Sequence, residues 1–408
     1  MPTPRAVPTD PDAARPATPA ALRLLPRPAR TPADGPILLS PPHLTGRELA
    51  GIAETLQSGW VAPAGPATAA FEAALADATG QPHVLAVSSG TAALHLGYRC
   101  LGIAPGDAVW TASLTYVATI APAVQMGARP HFLDVAPDSW TLDPDLLERD
   151  LSRAARRGRL PRAVVPVDLF GQSAELEVIR ALCDRWGVAV MADSAEALGA
   201  TQHGRPAGQG ARLAAFSFNG NKIVTAGGGG ALASADAGLI AMARGLANQA
   251  RQPAPHYEHE TTGYSYGLSS ILAAIGMVQL AALQDRIAAR RAIFGRYHDG
   301  LAGLPGLGFM PEPDWSRGTR WLTVIQLDPG QGAPGREAVR LALAAAGIET
   351  RPVWKPMHLQ PAFRHAGRSG GAVAARLFER GLCLPSGSGL TPARQARVID
   401  RLRACWAG

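Results

Sequence analysis

Lysine is nearly missing from this chain. Of 39 basic side chains in 408 residues, two are lysines, Lys222 and Lys355; the rest are arginines. Cysteine is scarce as well: Cys100, Cys183, Cys383 and Cys405 lie far apart, with no metal-ligand spacing. That pattern excludes a disulfide-stapled scaffold, predicts no metal site, and reads as the reduced thiols of a cytoplasmic enzyme. Long apolar runs are lacking too. None approaches the roughly 18 residues needed to span a bilayer, and the N-terminus has no continuous apolar signal core. Neither a membrane nor secretion is expected. Charged residues make up 17%, with a net charge of +7. The arginines are scattered rather than clustered, which weighs against nucleic acid and suits an anionic substrate.

Glycine and proline are plentiful, 45 and 35, and many prolines precede Ile37. The segment 1–36 is rich in Pro, Ala and Arg and poor in large apolar residues. It cannot offset the entropy of ordering, so it is expected to be disordered. Beyond it, 47% hydrophobic composition and ample length predict a large core in two domains. One would cover 37–295; the other, smaller, would be the C-terminal 296–408.

From Val84 onward, short apolar runs alternate with helical patterns. Val84–Val87, Ala108–Thr111, His131–Leu133, Ala163–Val167 and Val188–Ala192 read as buried strands. Helices are expected over Thr45–Ser58, Ala92–Leu101, Val117–Met126 and Ser173–Arg185, with Thr45 and Ser173 as caps. Leu213–Phe218 and Gly230–Ala233 read as a strand pair flanking Lys222. A long helical pattern over Leu268–Leu301 divides in two. Strands at Trp321–Leu327 and Thr350–Trp354 mix with helices at Arg336–Ala346, Ala372–Arg380 and Pro392–Trp406. The predicted fold class is α/β: a large, mostly parallel sheet between helices, followed by a smaller α+β unit.

Lys222 sits in Phe216-Ser217-Phe218-Asn219-Gly220-Asn221-Lys222, before a run of four glycines, Gly227–Gly230. A lysine that loses water has its pKa lowered and, when neutral, can attack an aldehyde. Alone, a surface loop is the commoner setting for a lysine. Four other features weigh against that here. Ser88-Ser89-Gly90-Thr91 joins a strand to a helix start, a cradle for a phosphate, although it is also an ordinary cap sequence. Asp193 ends an apolar strand, where it could keep a pyridine nitrogen protonated or simply cap the next segment. Tyr116 could stack on a flat ring or fill the core. Ser217, five residues before Lys222, could bind the same phosphate or be a plain strand serine. Together they make a pyridoxal-phosphate site.

These residues resemble the DegT/StrS family of pyridoxal-phosphate sugar aminotransferases, of fold type I. The resemblance runs from about Ile37 to the end. It rests on Ser88–Leu96, Asp193–Gly199, Phe216–Gly230, His256–His259, Gly263–Tyr266, Arg351–His358 and Gly381–Gly387. The Asn219–Lys222 loop and the last two segments are most similar to the branch that makes 4-amino-4,6-dideoxy sugars on nucleotides, including UDP-N-acetylbacillosamine and GDP-perosamine pathway enzymes.

The resemblance implies pyridoxal 5'-phosphate as cofactor, passing to pyridoxamine 5'-phosphate in one half-reaction. Lys222 binds its aldehyde and moves the proton; Asp193 pairs with the ring nitrogen; Tyr116 stacks. Ser89, Gly90, Thr91 and Ser217 hold the phosphate, Glu196 lies beside the cofactor, and Ser265 reaches the partner subunit's cofactor. Gly59, Trp60, Val61 and Ala62, with Trp354, Lys355, Pro356 and Met357, match segments that line the sugar site. A homodimer with shared sites is implied, acting on a keto sugar and an amino-acid donor. One departure stands out. The family pattern Gly-x-Asn-x-Arg reads Gly263-Tyr264-Ser265-Tyr266-Gly267 here, and glycine cannot replace a guanidinium that grips phosphate. Arg251 or Lys355 would compensate, or the ketone carries no nucleotide. Lys222 argues against dehydration, since relatives that dehydrate sugars carry histidine there. A non-catalytic cofactor-binding regulator is the alternative from another class.

Overall fold

A computed structural model of the chain describes residues 35–407. The stretch expected to be disordered lies outside the described residues up to position 34. Among the described residues, two helices, α1 (Glu48–Ser58) and α2 (Pro66–Thr79), come first. Then follow β1 (His83–Val87), α3 (Gly90–Cys100), β2 (Ala108–Ala112), α4 (Ala121–Gln125), β3 (Arg129–Leu133), α5 (Pro144–Arg156), β4 (Ala163–Val165), α6 (Leu176–Asp184) and β5 (Ala189–Asp193). A short hairpin, β6 (Thr201–Gln202) and β7 (Arg205–Pro206), precedes β8 (Leu213–Ser217), β9 (Gly230–Ser234) and α7 (Ala237–Ala247). Next are α8 (Ser270–Ala281), α9 (Leu283–Gly300), β10 (Leu307–Phe309), β11 (Ser316–Arg317), β12 (Thr323–Leu327) and α10 (Arg336–Ala345). The chain closes with β13 (Arg351–Pro352), β14 (Gly367–Ser369), α11 (Ala372–Arg380), β15 (Gly381–Leu384) and α12 (Pro392–Ala404).

The large sheet runs β1-β9-β8-β5-β4-β2-β3-β14. Only β9 in it points the other way, pairing antiparallel with both β1 and β8. Its strands are unbroken apolar runs because both faces are buried. Val84, Ala86, Val164, Val190, Ala214 and Phe216 enter one core with residues of α2, α5 and α6. Leu85, Val87, Val165, Met191, Leu213 and Ala215 enter the other with α3 and α7. Helix approach is close: a Cβ on Gly97 of α3 would stand 2.3 Å from Met191 Sδ of β5. The second sheet, β10-β12-β15-β13, is antiparallel and covers a separate core of Ile293, Tyr297, Val339, Leu343, Val398 and Leu402.

Several sequence expectations shift. Ser173 caps no helix: its hydroxyl donates to Asp168 Oδ1 at 3.3 Å, and α6 starts three residues later. The first helix starts at Glu48 rather than Thr45, because Glu48 Oε1 accepts the Thr45 N–H at 2.8 Å and holds that residue outside the helix. The 117–126 pattern breaks into a 3-10 turn, Val117–Thr119, and α4, whose start is set by Pro122 near its first position. The long 268–301 pattern divides at Ala282, as expected. The strand expected at 350–354 keeps only Arg351–Pro352. Helix α5 had a legible start, Asp143 capping Pro144, with its carboxylate accepting from the Asp145 and Leu146 N–H groups. Strand β14 pairs parallel with β3, so residues from the last part of the chain complete the edge of the large sheet. Among the described residues no single helix is long and apolar enough to cross a membrane.

Candidate active site

The carboxyl ends of β1, β2, β4, β5 and β8 share one edge of the sheet, where open α/β sheets place their sites. The turns leaving them line a cavity of about 550 Å³. Ser88–Thr91 follow β1, Thr115, Tyr116 and Thr119 follow β2, Asp193 ends β5 with Glu196 just beyond, and Ser217 ends β8. Asn219, Asn221 and Lys222 come from the turn between β8 and β9. Because β9 runs back antiparallel, this turn stays at the same edge.

The start of α3 closes one end of the cavity. Ser89 caps it, its hydroxyl accepting the Ala92 N–H at 3.0 Å. The N–H groups of Gly90 and Thr91 belong to the first turn and have no partner within the helix. Contact with β8 and β9 is tight. A Cβ on Gly90 would stand 2.9 Å from Ser217 Cβ, and one on Gly230 would stand 2.5 Å from Gly90 N. Glycine at both positions brings three backbones together around a small concave pocket of N–H and hydroxyl groups, the shape and donor set of an anion cradle.

Two carboxyl groups flank the middle. Asp193 is 5% exposed. Its Oδ2 accepts the Thr119 hydroxyl at 2.6 Å and its Oδ1 the Ala195 N–H at 3.2 Å. Burial pushes its pKa up, while these hydrogen bonds and the nearby Lys222 pull the other way. Among the described residues no cation lies within ion-pair distance of it. Glu196 is also buried, and burial raises its pKa against the pull of Lys222. Its Oε2 accepts the Phe170 N–H at 2.9 Å, and its Oε1 lies 3.5 Å from Lys222 Nζ. Phe170 itself has φ 53°, a conformation that non-glycine residues rarely adopt and that clusters at functional sites.

Lys222 is largely buried, its side chain 14% exposed. Besides Glu196, its amine faces the Trp321 ring, 4.4 Å from the centroid. Trp321 is held in turn: its indole N–H donates to Asn221 O at 2.8 Å. Trp354 also lines the cavity, stacked on Phe170 at 5.7 Å and tilted toward Tyr116 at 5.5 Å. Tyr116 is 55% exposed, so its ring is open to a ligand rather than part of the core.

Most of the sequence candidates therefore meet: Ser89, Gly90, Thr91, Tyr116, Asp193, Glu196, Ser217, Lys222 and Trp354 surround one cavity. Others do not line it. Gly59–Ala62 lie elsewhere, with Trp60 55% and Val61 44% exposed. Lys355, Pro356 and Met357 turn away; Met357 N–H bonds to Ser113 O. Ser265 pairs through its backbone with Asn248, and Gly267 with Val87. The sequence reading missed Trp321 and Thr119. Thr119 had a signal, lying one helical turn beyond Thr115; their hydroxyls are 2.6 Å apart.

A family model described as the DegT/DnrJ/EryC1/StrS aminotransferase family matches residues 42–403. The chain is 47% identical over 370 residues to EpsN of Bacillus subtilis (strain 168), designated a pyridoxal phosphate-dependent aminotransferase; the match covers 90% of this chain and 95% of that protein. It is 35% identical over 367 residues to a GDP-perosamine synthase of Caulobacter vibrioides, covering 90% and 97%. Among solved structures, a DegT DnrJ EryC1 StrS aminotransferase from Brucella abortus superposes with a TM-score of 0.82 at 31% identity, over 89% of this chain and 96% of that one.

Proposed function

This chain belongs to the DegT/DnrJ/EryC1/StrS aminotransferase family, a sugar aminotransferase dependent on pyridoxal phosphate. From that premise we propose that it transfers an amino group from L-glutamate to C4 of a nucleotide-linked 4-keto-6-deoxyhexose. The observation that carries the reading is Lys222: an almost buried amine held beside Glu196 in a cavity that also contains an anion cradle and the buried Asp193, which is in no ion pair among the described residues.

The residues fit the cofactor. The cradle at Ser89, Gly90, Thr91 and Ser217 is one that a single added Cβ would fill, and its donors suit a phosphate. Asp193 suits a ring nitrogen that carries a proton: a cation there compensates a carboxylate that burial otherwise disfavours. Pyridoxal phosphate supplies the electron sink for charge left on carbon when a proton departs. The protein does the rest. Lys222 takes and returns the proton, with Glu196 Oε1 fixing where its amine points. The rigid Phe170 N–H fixes Glu196 in turn. Tyr116, Trp321 and Trp354 present flat apolar walls for a ring and exclude water.

In this reading 37–295 is the cofactor domain and 296–408 the smaller one, and the enzyme is a cytoplasmic homodimer. Sharing of sites between subunits is supported by Gly59–Ala62, Lys355–Met357 and Ser265, which match site segments by resemblance yet do not line this chain's own cavity. Light scattering that gives a monomer at working concentration would remove that part.

A second reading, amination of a ketone without a nucleotide, is favoured by one observation. Lys222 is the only cation lining the cavity among the described residues, and Gly267 supplies none. One experiment separates the two. Glutamate is used to convert the holoenzyme to its pyridoxamine form, and a UDP-linked 4-keto-6-deoxy-N-acetylhexose is added. Return of the original cofactor absorbance, with an amino sugar in the mass spectrum, supports the nucleotide-sugar reading. Conversion by glutamate with no response to several nucleotide-linked 4-keto sugars overturns it and leaves the second.

A further inference from the structure

The positive excess of the chain is not located at the reaction cavity, where Lys222 is the only lining cation among the described residues. Much of it gathers around a second cavity, of about 420 Å³, at the opposite edge of the large sheet. This one opens where β2 and β3 begin. It reaches as far as Trp110, midway along β2, and shares no lining residue with the cavity around Lys222. A ligand there would not compete for Lys222.

Five arginines line it: Arg129 from β3, Arg153, Arg157 and Arg159 from the end of α5 and the turn after it, and Arg368 from β14. The one carboxylate present, Asp150, is 5% exposed and already paired, 3.0 Å from Arg153 Nη1 and 3.7 Å from His131 Nε2. That leaves four net positive charges facing one small cavity. Arg129 Nε donates to Gly106 O at 2.8 Å, which fixes its guanidinium plane. Arg157, Arg159 and Arg368 make no side-chain hydrogen bond or ion pair among the described residues.

The ordinary explanation is that cations accumulate at a helix C-terminus to complement its dipole. It accounts for Arg153 and Arg157. It does not account for Arg129 and Arg368, which come from two strands. Strand β14, moreover, fits its place only through Gly367: a Cβ there would stand 2.5 Å from His131 Nδ1. That close pairing brings Arg368 to the arginines of α5.

We propose that this cleft binds a small molecule carrying two adjacent phosphates, the chemistry shared by inorganic pyrophosphate and nucleoside diphosphates. Guanidinium forks grip phosphate oxygens two at a time. Arginines on three separate elements match a group that presents several oxygens in several directions, and a single phosphate would leave most of them unmatched. The cavity volume falls in the range of small-molecule sites.

The test is calorimetric titration of the holoenzyme with inorganic pyrophosphate and, separately, with UDP, in the wild type and in Arg157→Ser/Arg159→Ser. Both residues are exposed, so the fold and the transamination rate are expected to be unchanged in the variant. The wild type should bind one pyrophosphate per chain, more weakly as salt rises. The variant should bind at least ~10-fold more weakly, for the loss of two charge-assisted contacts. The part of UDP binding that the double variant loses belongs to this cleft: tighter than pyrophosphate, it assigns the site to nucleoside diphosphates, and equal or weaker, to the diphosphate group alone. No pyrophosphate binding at millimolar concentration, or the same affinity in both proteins, overturns the proposal.

Discussion

Gly90→Ala sets two physical effects of opposite sign against each other. Gly90 opens α3 with φ outside the left-handed region, so alanine meets no backbone strain. On helix propensity alone the change should stabilise, by up to about 1 kcal/mol. Packing says otherwise. The new Cβ would stand 2.9 Å from Ser217 Cβ, 3.3 Å from Ser217 Oγ and 3.4 Å from Phe216 O. Ser217 Cβ is fixed by the backbone of β8, which is paired on both sides by β5 and β9, so it cannot swing away. Separating the two carbons to ordinary contact means moving the end of β8 or the start of α3 by several tenths of an ångström. Overpacking of this kind costs about 1–3 kcal/mol, and here it falls on the proposed phosphate cradle. We expect a net loss of stability in the cofactor-free protein and pyridoxal phosphate affinity reduced about tenfold or more, followed by urea unfolding and by absorbance titration. Adding Ser217→Gly should restore stability by removing the obstructing carbon, yet not affinity, because the hydroxyl is gone. The packing argument fails if Gly90→Ala unfolds at higher urea than the wild type and binds cofactor as tightly.

Three further outcomes are expected. Lys222→Ala should fold normally and lose transamination by at least ~10³-fold, since no other amine is placed to move the proton; sustained turnover with glutamate and a keto sugar would sink that role. Asp168 lies just behind Asp193, buried, accepting the Ser194 hydroxyl and the Ala174 N–H, and burial pushes its pKa up to about 7. Between about pH 4 and 7 the folded state therefore holds a proton that the unfolded state has released. Stability from this group should fall as pH rises through that window, by at most about 1.4 kcal/mol per unit. Asp168→Asn should flatten that slope in urea midpoints measured from pH 4.5 to 7, and an unchanged slope would rule the group out. Arg290 is 2% exposed and donates to Trp321 O, to Ser386 O and to Ser40 Oγ, and it is in no ion pair among the described residues. Arg290→Ala should cost about 3 kcal/mol for the orphaned acceptors and should lower turnover through Trp321; full activity at wild-type stability would contradict both.

The site was readable because its chemistry sits at strand ends. Ser89, Asp193 and Ser217 each adjoin an apolar run, and a sheet of parallel strands carries such positions to one edge. Local sequence was enough for them. Trp321 was hidden because it reaches Lys222 from β12's approach, a hundred residues further on, and an isolated tryptophan before a strand looks like core. Phe170 was equally hidden: nothing in Leu169-Phe170-Gly171 announces a left-handed backbone, which is imposed by the fit among Glu196, Trp354 and the 319–321 segment. The short β14 had no signal either, since Gly-Arg-Ser has no strand propensity; its place is set by what it packs beside. Ser173 misled for the opposite reason. A serine before a helical run caps it only if its hydroxyl is not already used, and Asp168 takes it.

Strand β14 has a mechanical consequence. Many two-lobed enzymes enclose their substrate by swinging one lobe against the other around a short hinge. Here the chain that leaves the second sheet at β13 returns to hydrogen-bond along β3, and the N–H groups of Gly371, Val373 and Ala374 then bind the Asp134 carboxylate. Any jaw-like opening would tear that seam. The bridge between the anchors, residues 353–366, is tied down as well, the Met357 N–H donating to Ser113 O, and it carries Trp354 to the cavity. The geometry is that of a fixed vessel, its walls held by the same seam that joins the chain after β13 to the large sheet.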